Sequence, residues 1–399
     1  MTTAVAGDLY YDPYDVDINA DPYPVYRRLR EEAPLYYNEP YDFWAVSRYE
    51  DVERGLADYT HLISGRGGIL EVIRADIEMP SGVLIFSDPP IHTMHRRLLA
   101  RVFTPRKMAA LEPDIRAMCT AYLDPLVGGD RFDFVADLSA DMPARVICTL
   151  LGIPDEESQL QVRNNADARL RTEAGKPMQV RKKAIDDGSL FADYLDWRIE
   201  HPSDDIMTQL LQAEFEDETG AVRRLTREEI LTYVAVVAGA GSETTTKLIG
   251  WAGKVLGDHP DQRRELAENP SLIPNAIEEL LRFEPPGPHI ARYVAADVEV
   301  HGRTLPAGSV MMLLAASANR DDRRFPDGDT FDIHREIGAH VAFGYGIHYC
   351  LGAALARLEG RIALEEILKR FPEWEVDLPN ARLAPTSTVR GYETLPTFV

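Results

Sequence analysis

Ten residues near the C-terminal end, FGYGIHYCLG from Phe343 to Gly352, restrict what the chain can build more tightly than any other stretch. Gly344 and Gly346 permit a left-handed backbone and the close approach of a flat ligand, which a Cβ would hinder. A helical pattern begins directly after Cys350, which sets the sulfur at a helix N-terminus, where free N–H groups and the dipole favour a thiolate. The fold must therefore bring a tight loop, one sulfur and a helix end to the same place.

Four uses of that cysteine can be weighed. Zinc asks for several Cys or His ligands at short spacing, and His348 is the only near companion, with no CxxC anywhere in the chain. A protease-type nucleophile needs a partner histidine and an oxyanion hole, neither of which the sequence singles out. A buried structural thiol is the common fate of a lone cysteine, yet it has no use for the glycines. An anionic sulfur presented from a glycine loop suits a haem iron, onto which it pushes electron density that favours O–O cleavage. Phe343 is placed to cover the sulfur's flank. The other cysteines, Cys119 and Cys148, lie far away in unlike surroundings, and no disulfide framework is implied.

Most of the remaining pattern is helical. DPYPVYRRLREEAP opens one helix, TREEILTYVAVVAGAGSETTTKLIGWAGKVL forms a long one, and LGAALARLEGRIALEEILKRF closes the series, each with apolar residues at three- and four-residue spacing. FWAVSRYEDV reads as a strand turning into a helix, and RYVAADVEVHGRTLPAGSVMMLLA as a small sheet bent at His301-Gly302. The expected fold class is mainly α with a minor β part. Thr226 and Glu229 form a capping box that fixes the start of the long helix. Its centre, Ala238 to Thr246, replaces the usual strong helix formers with glycines, a carboxylate and three threonines; each glycine costs roughly 1 kcal/mol relative to alanine.

No linker, repeat or low-complexity block interrupts the 399 residues, so one domain over 1–399 is expected. The opening residues lack the basic and apolar regions of a signal peptide, and no run approaches the length of a membrane span; a cytoplasmic protein is expected. A formal net charge of -22 argues against nucleic acid as a partner. One basic island breaks the acidic background: Arg96, Arg97, Arg101, Arg106 and Lys107.

FGYGIHYCLG matches the F-G-x-G-x-H-x-C-x-G haem-binding signature, and with the motifs that follow, in register along nearly the whole chain, the sequence resembles the cytochrome P450 family. The resemblance implies that family's triangular helical prism, with haem b between the long distal helix and the helix after the cysteine loop. Cys350 is then the axial iron ligand, with Phe343, Gly344, Gly346 and Gly352 shaping the loop around the cofactor. DPPIHTMHRRLL is similar to the helix that contacts haem propionates, which carries over to His92 and Arg96, with Arg292 and His348 facing the same groups; Arg and His donors neutralise such carboxylates. Glu279 and Arg282 match the family's E-x-x-R pair, completed by Arg335, in a structural role. AGSETT, from Ala240 to Thr245, is similar to the distal-helix motif, with Glu243 and Thr244 as the acid and alcohol that deliver protons.

What this implies is monooxygenation: one atom of O2 enters a hydrophobic small molecule such as a sterol, terpenoid, fatty acid or macrolide. The chain has no flavin or nicotinamide fingerprint and no iron–sulfur cysteine cluster, so the expected electron source is a separate ferredoxin with its ferredoxin reductase, docking near the basic island. Substrate contacts by family position are Val236, Gly239, Ala240 and Gly241 on the long helix, Pro288, His289 and Ile290 after the E-x-x-R helix, and parts of residues 64–86. His289 either hydrogen-bonds a polar substituent or merely turns the chain beside Pro288. A peroxide-driven peroxygenase and a non-catalytic haem sensor are the alternatives; the Glu243-Thr244 pair favours the monooxygenase.

Overall fold

The computed structural model of the chain describes residues 9–77, 79, 83–153, 156–180 and 188–399. The helical patterns become helices, among them Tyr23–Glu32, Ile91–Ala100, Glu112–Leu123, Met142–Leu151, Arg227–Asp258, Ile273–Phe283 and Ala353–Arg370. Ile273–Phe283 buries one apolar stripe, Ile273, Ala276, Ile277, Leu280 and Leu281.

The helix Arg227–Asp258 has 32 residues, about 48 Å at 1.5 Å per residue. Its capping box forms as expected: the Thr226 side chain accepts from the Glu229 N–H at 3.2 Å, and the Glu229 carboxylate accepts from the Thr226 N–H at 2.8 Å. Packing against Met142–Leu151 and Ala353–Arg370 places it inside the core. Through its odd centre the helix is unbroken, and hydroxyls there bond back onto carbonyls four residues earlier: Ser242 to Ala238 at 3.0 Å, Thr244 to Ala240 at 3.0 Å and Thr246 to Ser242 at 3.1 Å. At Gly241 a Cβ would lie 2.4 Å from Ile147 Cδ1 and 2.8 Å from its Cγ1, so any side chain there would push Ile147 aside.

The β part is small. In its main sheet Phe43–Val46 pairs antiparallel with Leu35–Asn38 and parallel with Val310–Leu313; the latter pairs antiparallel with Ile290–Val294, and Leu62–Ile63 forms the far edge. The hairpin Val298–Val300 and Arg303–Leu305 turns at His301 and Gly302, with φ of 49° and 72°, the bend the sequence suggests.

An ion network braces the segment ahead of the cysteine loop. Glu279 and Arg282, both with no exposed side-chain surface, meet at 2.6 Å and 2.7 Å, and Arg335 joins Glu279 at 3.1 Å. Such burial costs desolvation unless the remaining donors are bonded. Arg282 reaches the carbonyls of Asn319, Gly328 and Thr330, and Arg335 those of Pro326, Asp327 and Thr330. One carboxylate thereby ties a helix to a long irregular stretch.

Candidate active site

The middle of the long helix, the strand Ile290–Val294 with the loop before it, and the Cys350 loop enclose one cavity of about 330 Å³. The loop is closed by the Cys350 N–H donating to the Phe343 carbonyl at 2.9 Å. Gly344 and Gly346 take φ of 72° and 70°, a conformation that side chains disfavour. At Gly346 a Cβ would also meet the Leu56 carbonyl at 3.2 Å. Both glycines thus do what their place in the motif suggests, and Phe343, Gly344 and Gly352 line the cavity beside the sulfur.

Cys350 opens to the cavity. Enclosure by protein pushes its thiol up, against the Gly352 N–H and the guanidinium groups of Arg96 and Arg357, which pull it down. The expected thiolate stabilisation at the helix end is therefore present but outweighed. The reason is local: the helix begins only at Ala353, with Gly352 as its cap, so a single backbone donor reaches the sulfur.

Around the same cavity stands a set of basic side chains that form no ion pair among the described residues. Arg292 is 3% exposed and bonds only the Ala291 carbonyl, at 3.0 Å; burial pushes its pKa down to about 10. Arg96 donates to the Tyr349 carbonyl at 2.6 Å. His348 and His92 pack with ring centroids 4.3 Å apart. His348 Nε2 and both ring nitrogens of His92 are buried without a hydrogen bond. Burial holds His348 at about 3 and His92 at about 4, with nearby positive charge adding to it. Unpartnered buried donors and cations call for an anionic ligand. A haem with two propionates fits this donor set, and Cys350 would supply the sulfur for its iron.

On the facing wall Val236, Ala240, Gly241 and Thr244 line the cavity. Gly239 and Glu243 do not. They share with Lys247 the neighbouring i, i+4 stripe of the helix, which here turns aside. The Glu243 carboxylate is 7% exposed, with Oε1 3.8 Å from the Lys247 ammonium; Lys247 also donates to the Tyr392 carbonyl at 3.3 Å. Alcohol and acid are therefore adjacent in sequence but face different ways. His289 and Ile290 line the cavity, whereas Pro288 sits behind the wall, its carbonyl accepting from the Ala316 N–H at 2.9 Å. From residues 64–86, Leu84 and Ile85 contribute; positions 78 and 80–82 lie outside the described residues.

Two groups escaped the sequence reading. Glu359 is fully buried, with neither carboxyl oxygen hydrogen-bonded, lines the cavity, and is driven well above the carboxylate range by burial. A signal existed, since it continues the apolar stripe of Leu355, Ile362 and Ala363. Glu278 accepts from Arg357 at 2.5 Å and from His340 at 3.2 Å, tying the E-x-x-R helix to the closing helix. Nothing in one sequence marks that long-range pairing.

Comparisons with known proteins agree with this geometry. The family model described as Cytochrome P450 matches residues 133–388. The chain is 40% identical to "Putative cytochrome P450 123" of Mycobacterium tuberculosis, covering 100% of this chain and 99% of that one. It is 36% identical to "Vitamin D(3) 25-hydroxylase" of Pseudonocardia autotrophica, covering 99% and 98%. The solved structure of cytochrome P450 CYP109Q5 from Chondromyces apiculatus superposes with a TM-score of 0.85 at 34% identity, over 97% of each chain. Identity at this level along the full length, on the same fold, means that the chain belongs to the cytochrome P450 family, whose members are haem-iron monooxygenases.

Proposed function

We propose that Cys350 ligates the iron of haem b and that the enzyme inserts one atom of O2 into a C–H bond of a hydrophobic small molecule, drawing electrons from a ferredoxin and its reductase. The observation that carries this reading is the placement of the Cys350 sulfur and Thr244 on one cavity also lined by Arg96, Arg292 and His348, which form no ion pair among the described residues. When bound, thiolate-ligated haem supplies the dioxygen activation and the hydrogen abstraction.

The chain's own residues supply position, dryness and protons. Arg96, Arg292, His92 and His348 hold the propionates, and their burial strengthens each charge-assisted bond. Leu84, Leu99, Phe103 and Val236 exclude water and take up apolar substrate. The Thr244 hydroxyl, bonded at rest to the Ala240 carbonyl, would rotate to hold a water in the cavity that it lines. Protons come from solvent through Glu243, whose carboxylate turns from Lys247 toward Thr244 to hand them on. Arg97, Arg101, Arg106 and Lys107 are exposed, close in sequence to Arg96, which bonds the Tyr349 carbonyl of the cysteine loop, and offer positive charge to an acidic electron donor. The similarity to a vitamin D(3) hydroxylase supports a sterol-like or comparably apolar substrate.

The test is the visible spectrum of the reduced protein under carbon monoxide. A Soret band displaced far to the red, lost in Cys350→Ser, is expected. A carbon monoxide complex like that of a histidine-ligated globin would overturn sulfur ligation.

A further inference from the structure

Apart from Glu359 on the closing helix, two polar groups on the described cavity wall have no role in the haem site. Among the described lining residues outside the Cys350 loop and the closing helix, the polar side chains are Arg96, Arg292, Thr244, Thr245, Tyr233 and His289. The two arginines belong to the propionates in the reading above. Both threonine hydroxyls donate to helix carbonyls. Tyr233 Oη and His289 Nδ1 remain, buried and without a hydrogen bond, and a buried polar atom left so calls for a partner.

His289 is the better fixed of the two. It follows Pro285, Pro286 and Pro288, whose rings lock φ. The Pro286 carbonyl accepts from the Arg390 N–H at 2.7 Å and the Pro288 carbonyl from the Ala316 N–H at 2.9 Å. The imidazole stands in the wall between the main cavity and a small polar one of about 20 Å³ bordered by Tyr11, Asp12, Ser387 and Arg390. Burial pushes its pKa down to about 4, only partly opposed by the Ser387 carbonyl, so near neutral pH the ring is uncharged and offers one nitrogen lone pair.

We propose that His289 is the polar anchor of the substrate pocket, accepting the hydrogen bond of a hydroxyl on an uncharged, otherwise apolar molecule. This rests on the monooxygenase reading and narrows it. A carboxylate substrate finds no spare cation among the described lining residues, and an uncharged ring gives it only one weak donor. An alcohol presents a donor to the lone pair and buries its carbon skeleton against the apolar wall. Hydroxylated sterols and macrolides therefore fit, and free fatty acids do not.

The test is equilibrium titration of the oxidised holoenzyme, read by the conversion of low-spin to high-spin iron, with no electron donor present. The probes are 1-dodecanol, dodecane and dodecanoate, and 5α-androstan-3β-ol with 5α-androstane. Wild type is expected to bind each alcohol about ten-fold tighter than its hydrocarbon, which is about 1.4 kcal/mol and within the range of one net hydrogen bond, and to bind dodecanoate least. His289→Phe should erase the alcohol preference and leave hydrocarbon binding unchanged, whereas His289→Gln, which keeps an acceptor, should retain it. The proposal is overturned if alcohols and hydrocarbons bind wild type equally, if dodecanoate binds best, or if His289→Phe weakens alcohol and hydrocarbon alike. Absence of a thiolate-type carbon monoxide spectrum would instead sink the haem reading on which it stands.

Discussion

At Thr244 the hydroxyl has two claims on it. The Ala240 carbonyl holds it at 3.0 Å, and a hydroxyl bonded to its own helix is compatible with function because one rotation about χ1 frees it. Glu243, one residue earlier, is held off the cavity beside Lys247. Removing the hydroxyl leaves the carboxyl no relay point. Thr244→Ala should cut product per electron pair on the order of a hundred-fold, within the span general acid–base groups contribute, while substrate still binds; peroxide and product assayed against electrons consumed check this. Coupling that stays as in wild type would remove Thr244 from proton delivery.

The long helix carries its four-residue stripes into different surroundings, and its glycines show the consequence. Gly239 has nothing within 4 Å of where a Cβ would sit, whereas at Gly253 a Cβ would lie 2.6 Å from the Phe134 ring. Helix propensity alone favours alanine at both, by up to about 1 kcal/mol. Packing decides the sign at the second, because a phenylalanine buried against its neighbours has little room to move. Gly239→Ala should raise the thermal midpoint and Gly253→Ala should lower it; calorimetry of the two variants checks the pair. The element's existence and its capping box were legible from periodicity and from Thr226 and Glu229. Which stripe faces the cavity was not, because rotation about the helix axis is set by what packs on it, here Ile147 on Gly241 and the backbone of Gly391 and Tyr392 on Lys247.

Across the molecule, Glu278 joins three parts: its own helix, the segment bearing His340 and the closing helix bearing Arg357. Burial raises its carboxyl, but hydrogen bonds from His340 and Arg357 outweigh that and bring it down to about 2. A depressed carboxyl stabilises the fold above its unfolded value of 4.5, and that contribution is lost as pH falls toward 2. Glu278→Gln should therefore cost about 2 kcal/mol at neutral pH, with the gap to wild type closing between pH 4.5 and 2. Urea midpoints measured across that range check it, and a gap independent of pH would refute the ion-pair account. By itself the sequence determined the fold class, the cysteine loop with its two left-handed glycines and the order of the helices. These are local: spacing, backbone freedom and the chemistry of one sulfur are written in neighbouring residues. Only the tertiary structure decided that Glu243 turns from the cavity, that Gly239 and Pro288 stand outside its lining, that Glu359 is buried without a partner, and that His289 borders two cavities. Those outcomes depend on which distant surfaces meet, and a buried charge or an unbonded nitrogen exists only once they do.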